Sequence, residues 1–225
     1  MCAGCTLKPH EVVPAPPGHN LAVVFDIDGT LTTRVHAIRD TREGAATAVQ
    51  AYAQAGYRVI YISARHPLFQ WHIPGWLKRN GFPEGPVHVT ESREQRNDHA
   101  SFKHGVLNEY QANGWVLVAA YGDSSSDFDA YASAGIDKNR VFALRREGAE
   151  ACEPGAWAEC FANWPEQMGI IDELIQARSR IQAACMDGSE FRPHARTGNP
   201  GPAAFPPHDH QVGRDHDGCP DKHVG

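Results

Sequence analysis

The sequence contains no apolar run long enough to cross a bilayer and no excess of basic residues. Among its 225 residues, 21 are Lys or Arg and 27 are Asp or Glu, so the formal net charge is -6. A chain of this charge has no general attraction for nucleic acid or for an anionic membrane. We therefore expect no nucleic-acid partner, and an anionic substrate would need local positive charge or a metal ion to bind.

Cysteines are also too few and too scattered to form a disulfide framework in a chain of this size. We expect mostly free thiols, with a Cys152–Cys160 bridge as the alternative if the protein is exported. The CxxC at Cys2 and Cys5 has no second pair, which gives little support to a zinc or redox site. Ala3-Gly4-Cys5 resembles the end of a bacterial lipoprotein signal, but the hydrophobic segment that should precede it is missing. We expect a cytoplasmic protein, or a lipoprotein lipidated at Cys5 if the true start lies upstream.

Composition divides the chain into three parts. Residues 1–20 are rich in proline and predict an extended arm or tether. Residues 21–184 carry the periodic apolar pattern of a folded domain. Residues 185–225 are rich in His, Pro and Gly and predict a disordered tail, in which His208, His210, His216 and His223 would have no fixed geometry for zinc. No pattern indicates an oligomeric state.

Between residues 21 and 184, short apolar strands alternate with amphipathic helices. This order predicts an α/β fold, a doubly wound parallel sheet covered on both faces. Asp40 and Glu43 predict a capping box for the first helix, Pro74 predicts an interruption of a helix over 68–80, and a last helix is expected over 165–184. The strands are expected at residues 21–26, 57–63, 87–90, 115–121 and 141–144.

Three polar stretches follow strands of this sheet, namely Asp26–Thr30, Ser63–Arg65 and Gly122–Asp127. In parallel sheets of this kind, ligands bind outside the carboxyl ends of the strands. The three stretches therefore converge on one edge, which packing alone does not explain.

The stretch after the first strand carries two carboxylates, Asp26 and Asp28, with Gly29 at the turn. Strand alternation places both on one side, and oxygen ligands suit a hard cation such as Mg²⁺. A simple Asx turn is the alternative for this stretch alone. Asp123 and Asp127 can complete a Mg²⁺ site.

The same edge carries groups that could bind phosphate. Ser63 offers a hydroxyl, and Lys103 offers a positive charge to phosphate and to the carboxylates. We also assign Gly29, Thr30 and Ala64 to substrate binding. Arg65 either joins them or forms an ion pair with a loop carboxylate.

Asp26-Ile27-Asp28-Gly29-Thr30, Ser63, Lys103 and Gly122–Asp127 together resemble the four motifs of the haloacid dehalogenase (HAD) superfamily of phosphatases. The resemblance implies a Rossmann-like core and Mg²⁺ as cofactor. It also implies Asp26 as nucleophile, Asp28 as acid and base, and Ser63 and Lys103 as phosphate ligands. Mg²⁺ would be held by Asp26, the carbonyl of Asp28, and the acidic loop of Asp123 and Asp127.

Within that superfamily, Asp26–Thr32, Tyr61–Arg65 and Phe102-Lys103 resemble lipin-type phosphatidate phosphatases and the related domain of phosphatidylinositol transfer proteins. Asp123 departs from the Gly-Asn pair of lipins. The connections after the first two strands are too short for an inserted cap domain, so an open, capless site is expected. The resemblance implies a phosphorylated substrate, and the first substrate hypothesis is a membrane-held lipid phosphate such as phosphatidate. Phosphatase action on nucleic-acid ends, nucleotides or small metabolites, and phosphatidate sensing without turnover, are the alternatives.

Large apolar residues follow the Ser63 loop close to the predicted entrance. Trp favours the depth of a membrane interface, so these side chains could contact a bilayer, but large aromatics are more often buried in a core. Both interpretations concern Leu68, Phe69, Trp71, Ile73 and Trp76.

Overall fold

A computed structural model describes Leu7, residues 10–35 and residues 39–187. The predictions for Cys2 and Cys5, and for the tail histidines, lie outside these residues. Among the described residues, no helix is both long enough and apolar enough to span a membrane.

Six strands form one parallel sheet in the order β3-β2-β1-β4-β5-β6. α-Helices connect the first five strands in chain order, and a loop joins β5 to β6. The α/β prediction with a doubly wound parallel sheet is therefore confirmed. The strands are β1 Leu21–Asp26, β2 Arg58–Ser63, β3 Val87–Val89, β4 Val116–Gly122, β5 Val141–Leu144 and β6 Glu159–Phe161. The helices are α1 Ala45–Gln54, α2 Ile73–Arg79, α3 Arg93–Asn97, α4 His99–Ala112, α5 Ser125–Ser133 and α6 Trp164–Asp187.

β1 lies in the middle of the sheet between β2 and β4, and it is almost entirely buried. Alternation along the strand sends successive side chains to opposite faces. Val24 joins the core cluster that contains Phe102 of α4 and Phe128 of α5. Asp26 is two residues further on, so the same alternation directs its carboxylate toward the α4 and α5 side of the sheet.

An aromatic cluster involves the alternate residues of β1 and β4. The ring of Phe25 stacks on Tyr121 with centroids 5.0 Å apart, and Trp164 packs against Tyr121 at 5.2 Å. The buried hydroxyls of Tyr52 and Tyr121 are 2.8 Å apart and satisfy each other. Such clusters combine large apolar burial with specific ring geometry and fix the position of β1.

Two helix-boundary predictions are wrong. α1 begins at Ala45 after Gly44, whose φ is +76° and which makes no side-chain cap bond, so the predicted Asp40–Glu43 capping box does not form. The broken helix over 68–80 is a 3-10 turn at Pro67–Phe69 followed by α2, and Pro74 lies in the first turn of α2 rather than interrupting it. A proline is tolerated there because the first amides of a helix have no partner within the helix.

Two short elements lie outside the predicted set. Ser92 is the N-cap of α3 and forms a capping box with Gln95. β6 extends the sheet beyond β5 with three residues. Neither carries the apolar pattern that predicted the other elements: α3 has no buried residue, and in β6 only Phe161 is buried.

Part of the predicted arm packs against the edge of the domain. Val12 is buried in the core cluster, and the backbone oxygen of Val13 accepts a 2.8 Å hydrogen bond from the indole of Trp115. His10 Nδ1 lies 3.2 Å from the backbone oxygen of Val87. The division of the chain at residues 20 and 184 stays a prediction.

The connections that could hold a cap domain are short. In the described residues, β1 and β2 are joined through α1, and β2 and β3 through a 3-10 turn and α2. The described residues up to Asp172 form one compact unit. Of a second unit that begins at Glu173, the described part is the segment of α6 up to Asp187.

A disulfide joins Cys152 to Cys160 across the connection between β5 and β6. This is the bridged alternative rather than the expected free thiols for this pair. The bridge spans eight residues, between the loop that follows β5 and the start of β6.

Replacing both cysteines, as C152S/C160S, should lower the free energy of unfolding by about 2 kcal/mol, because the unfolded chain regains the entropy of that loop. Urea denaturation of the wild type and the double variant measures the difference. Reductant should destabilise the wild type to a similar extent and leave the double variant unchanged. A double variant that reductant still destabilises would contradict this assignment.

Candidate active site

Asp26 ends β1 and is buried beneath a lysine from the neighbouring helix. Lys103 on α4 donates from Nζ to Asp26 Oδ1 at 2.6 Å and also to Asp127 Oδ1. Thr30 donates its hydroxyl to the other Asp26 oxygen at 3.1 Å. The buried ammonium therefore joins the end of β1 to the start of α5.

Asp127 belongs to the loop after β4 and to the first turn of α5. Its Oδ2 accepts hydrogen bonds from the backbone nitrogens of Asp123 and Ser124 at 3.2 and 3.0 Å and from the Ser124 hydroxyl at 2.6 Å. This is a capping box with Ser124 at the N-cap. Gly122 is required beside it, since a Cβ at that position would lie 2.6 Å from the Asp127 Cβ.

Asp123 approaches the turn after β1 from the other side. A Cβ on Gly29 would clash with Asp123 Oδ2, and Gly29 also has a φ of +84°, so only glycine fits there. Arg146 Nε donates to Asp123 Oδ2 at 2.6 Å and Arg146 Nη1 donates to Glu153 at 2.9 Å. Asp123 Oδ1 accepts no hydrogen bond from any described residue.

The three carboxylates fit a hard divalent cation. Asp26, Asp123 and Asp127 each offer an oxygen atom, and these atoms lie within 4.8 Å of one another. Carboxylate oxygen is the ligand type that Mg²⁺ prefers. Asp127 is committed to Lys103 and the loop amides, whereas Asp123 has an oxygen available. The side chain of Asp28 lies outside this group, and a role for its carbonyl stays a prediction.

Burial of so much negative charge changes the acidity of these groups. Burial, followed by repulsion from Asp127, raises the pKa of Asp26 well above its ordinary value. The same two causes raise the pKa of Asp123 to about 6. Burial alone would lower the pKa of Lys103, but attraction to Asp127 and Asp26 outweighs it and raises that pKa. The cluster therefore favours either protons or an added cation.

Asp28 lies in a different environment, two residues beyond Asp26. Its Oδ2 accepts a 2.5 Å hydrogen bond from the Ser63 hydroxyl. Arg65 forms an ion pair with it, from Nη2 to Oδ1 at 2.6 Å and from Nε to Oδ2 at 3.3 Å. A third nitrogen of Arg65 lies 3.0 Å from His72 Nε2. The two carboxylates of the opening motif thus have separate sets of partners.

The predicted site residues therefore meet in two adjoining groups. Lys103 joins the carboxylate cluster, and Ser63 and Arg65 join Asp28. For Arg65, the ion pair with a loop carboxylate is the alternative that the structure contains. Thr30 is buried against Asp26, and the half-buried Ala64 packs against the core. The roles of all these residues stay predictions.

Two arginines of the site were missed by sequence reasoning. Arg146 follows the carboxyl end of β5, a position that the rule of the sheet edge could have indicated. Arg42 donates from Nε to the backbone oxygens of Gly29 and Thr32 at 2.9 and 3.2 Å and so supports the turn after β1. Arg42 comes from a connection without periodicity, and no local pattern marks it.

Residues 23–145 match the family described as PITM 1-3, LNS2 domain. The matched range includes every predicted site residue and more than half of the chain. The chain belongs to the LNS2 domain family. The resemblance to the related domain of phosphatidylinositol transfer proteins is thereby confirmed.

Relatives of this LNS2 domain are much longer proteins. Protein retinal degeneration B of Drosophila melanogaster is 32% identical over 130 residues, which are 56% of this chain and 10% of that protein. Human membrane-associated phosphatidylinositol transfer protein 1 is 28% identical over 130 residues, with the same coverage. The matched part of the chain thus spans about a tenth of their length.

Solved structures place the LNS2 domain in the HAD fold. The D,D-heptose 1.7-bisphosphate phosphatase of B. bronchiseptica, complexed with magnesium and phosphate, is 16% identical with a TM-score of 0.50, over 70% of this chain and 99% of that one. A HAD-like protein from Mesorhizobium loti is 16% identical with a TM-score of 0.53, over 76% and 91%. The predicted Rossmann-like fold of the HAD type is therefore confirmed.

Magnesium should stabilise the domain more at about pH 7.5 than at about pH 5. Asp123 has a raised pKa in the fold, so its contribution to stability is complete below its unfolded pKa and is lost as the pH rises through about 6. Above that pH, a bound cation offsets the repulsion between ionised Asp123 and Asp127. Below it, Asp123 is protonated and binds a cation weakly. Thermal midpoints with magnesium and with chelator at both pH values measure the effect.

Asp123→Asn should reduce this magnesium effect, whereas Asp129→Asn, an exposed carboxylate on α5, should leave it intact. An equal magnesium effect at both pH values in the wild type would show that the cation binds elsewhere.

Proposed function

We propose that residues 21–184 form a Mg²⁺-dependent phosphomonoester hydrolase that works through an aspartyl-phosphate intermediate on Asp26. The observation that carries this proposal is the separation of two carboxylates at one strand end. Asp26 lies beside the buried ammonium of Lys103 and among carboxylates that could bind a metal ion, and Asp28 lies beside a hydroxyl and an arginine. Phosphoryl transfer requires these two environments, one for a nucleophile and one for a proton carrier.

In the first half-reaction, an oxygen of Asp26 attacks the phosphorus atom and forms an acyl-phosphate bond. The bond from phosphorus to the leaving oxygen breaks, and protonated Asp28 gives its proton to that oxygen. Lys103 holds the attacking carboxylate in place and balances charge on the phosphoryl oxygens. Mg²⁺, held by Asp26 and Asp123, would supply further neutralisation of that charge.

In the second half-reaction, Asp28 takes a proton from water as that water attacks phosphorus. The bond between phosphorus and Asp26 breaks, which releases inorganic phosphate and restores both carboxyl groups. Ser63 and Arg65 orient Asp28 between these steps through the bonds described above. Arg65 must release part of this contact when Asp28 binds its proton, and it is then available to the substrate phosphate.

A lipid phosphate such as phosphatidate is our proposed substrate. Membrane association and phosphatidylinositol transfer are in the name of a relative. The described residues of the connections after β1 and β2 hold no inserted domain that would obstruct a large substrate. A phosphatase for nucleotides, nucleic-acid ends or small metabolites is the alternative enzyme. A phosphatidate-binding module without turnover is the alternative from another class, and the presence of Asp28 favours the enzyme.

For the compartment, we propose that this domain works in an oxidising environment. The Cys152–Cys160 disulfide supports this, because such bonds are rare in the reducing cytosol. It favours export, which the lipoprotein alternative requires, over the cytoplasmic expectation.

Asp26→Asn should reduce phosphate release by at least about a thousandfold, since an amide cannot serve as the nucleophile. Phosphate release from phosphatidate in mixed micelles measures the effect. Asp129→Asn is the matched control and should keep wild-type turnover. An Asp26→Asn protein that is folded and fully active would refute the nucleophile assignment.

The enzyme should prefer a lipid phosphate over soluble phosphate esters. We expect phosphatidate in micelles to give a higher kcat/KM than nucleotides or sugar phosphates, with excess chelator removing activity on all of them. A preference for nucleotides or sugar phosphates would favour the alternative enzyme. Saturable phosphatidate binding without release of phosphate from any substrate would favour the sensing module.

A further inference from the structure

The segment between Arg65 and α2 reverses the usual order of burial. Gln70 is only 1% exposed, and its amide donates to the backbone oxygens of Arg65 and Thr90 at 3.1 and 2.8 Å. Its apolar neighbours are turned outward, with Leu68 58%, Phe69 46% and Trp71 62% exposed. The buried amide fixes the turn, so the outward position of these side chains is built into the fold.

These three side chains are exposed, unlike the other two apolar residues named for this segment. Ile73 and Trp76 are buried in the domain, as the core interpretation predicts. Leu68, Phe69 and Trp71 instead line a groove of about 530 Å³ together with Arg39, His72, Gly75 and Arg79. Adjacent exposed apolar side chains with a polar rim are typical of an interaction surface, whereas isolated ones need no explanation.

The charge around the groove is opposite to that of the chain. Residues 65–80 contain Arg65, Lys78 and Arg79 and no acidic residue, although the net charge of the chain is -6. Arg39 is positioned at the groove because its backbone oxygen accepts a 3.1 Å hydrogen bond from the buried indole of Trp76. Aromatic residues beside Arg and Lys match the interface of a bilayer whose headgroups are anionic.

The groove is connected to the candidate active site through two side chains. His72 lines the groove and lies 3.0 Å from Arg65, which in turn holds Asp28. A surface that docks on a leaflet here would bring headgroup phosphates to the side of the site where Asp28 lies.

We propose that Leu68, Phe69 and Trp71, with Arg39 and Arg79, form a docking surface for the leaflet of a bilayer that contains anionic lipids. Arg39 and Arg79 bind headgroup phosphates, and the three apolar side chains enter the interfacial layer. The surface deepens the proposed function, since it presents membrane-held lipid phosphates to Asp28 and Asp26. It binds a leaflet whether or not the domain hydrolyses phosphate.

Vesicle flotation tests the surface separately from catalysis. The probes are phosphatidylcholine vesicles with and without phosphatidylserine, a lipid that carries no phosphomonoester and so cannot report hydrolysis. We expect the wild type to bind the phosphatidylserine vesicles. F69S/W71S should bind them at least about tenfold more weakly than the wild type, and R79E about fivefold more weakly.

Two matched variants control for surface changes elsewhere. Val116 is 46% exposed, like Phe69, but begins β4 at the opposite edge of the sheet. Arg140 is exposed and directly precedes β5 at that same edge. V116S and R140E should bind vesicles as the wild type does.

A second measurement uses a conservative variant that keeps the aromatic bulk. Brominated acyl chains should quench part of the tryptophan fluorescence of the wild type, and W71F should lose that part. The ratio of activity on vesicle-held phosphatidate to activity on p-nitrophenyl phosphate should fall in F69S/W71S and stay constant in V116S.

Absence of wild-type binding to phosphatidylserine vesicles would overturn the proposal, as would equal binding by F69S/W71S or an equal loss in V116S. A wild-type dimer that F69S/W71S converts to a monomer, without vesicle binding, would assign the surface to a second copy and also overturn it. Vesicle binding that follows the predicted pattern in a protein without phosphatase activity would support the surface and refute the proposed function alone.

Discussion

The site depends on one buried ammonium group. Lys103 Nζ lies between Asp26 and Asp127, and all three side chains are almost inaccessible to water. A buried charge is tolerated only when it is paired and hydrogen-bonded, so this contact requires β1, α4 and α5 to stay in one arrangement. The cluster still holds more carboxylates than its cations balance, which raises the pKa of Asp26 and of Asp123. The imbalance that costs folding stability is the property that makes the cluster suited to a divalent cation.

The opening motif divides two tasks between neighbouring carboxylates because a strand end places them in different surroundings. Asp26 lies inside the sheet edge against Lys103, while Asp28 lies in the following turn against Ser63 and Arg65. Gly29 allows this change of direction and leaves room for Asp123. Arg65 then links Asp28 to His72 and to the exposed aromatic groove. The proposed chemistry and the proposed membrane contact thus share a short path of side chains.

Sequence reasoning predicted the sheet and the convergence of Asp26 and Asp127, because parallel strands bring their carboxyl ends to one edge. Lys103, which lies on a helix, was assigned from its charge and from the family resemblance. It missed Arg146, which the position after β5 could have indicated, and it could not predict Arg42, whose position depends on the path of a loop. The Asp40 cap is wrong because Gly44 begins α1 with a positive φ, a competition that spacing alone does not decide. Leu68, Phe69 and Trp71 could not be separated from Ile73 and Trp76, because the separation depends on the tertiary bonds of Gln70. Spacing also could not decide whether Cys152 and Cys160 pair, because pairing depends on where the fold places the loop after β5 and strand β6.

The central claim is that Asp26 carries the phosphoryl group between two steps that both require Asp28. Asp28→Asn is the variant that tests it. With p-nitrophenyl phosphate the first step can proceed in this variant, because p-nitrophenolate is stable enough to leave without a proton from Asp28. The second step should stop, because the phosphorylated enzyme then lacks the base that activates water. Acid quenching of this variant after mixing with p-nitrophenyl phosphate, followed by peptide mass spectrometry, should show a hydroxylamine-labile phosphoryl group on Asp26. Phosphorylation of another residue would contradict the claim. Steady phosphate release without any labelled protein would contradict it as well.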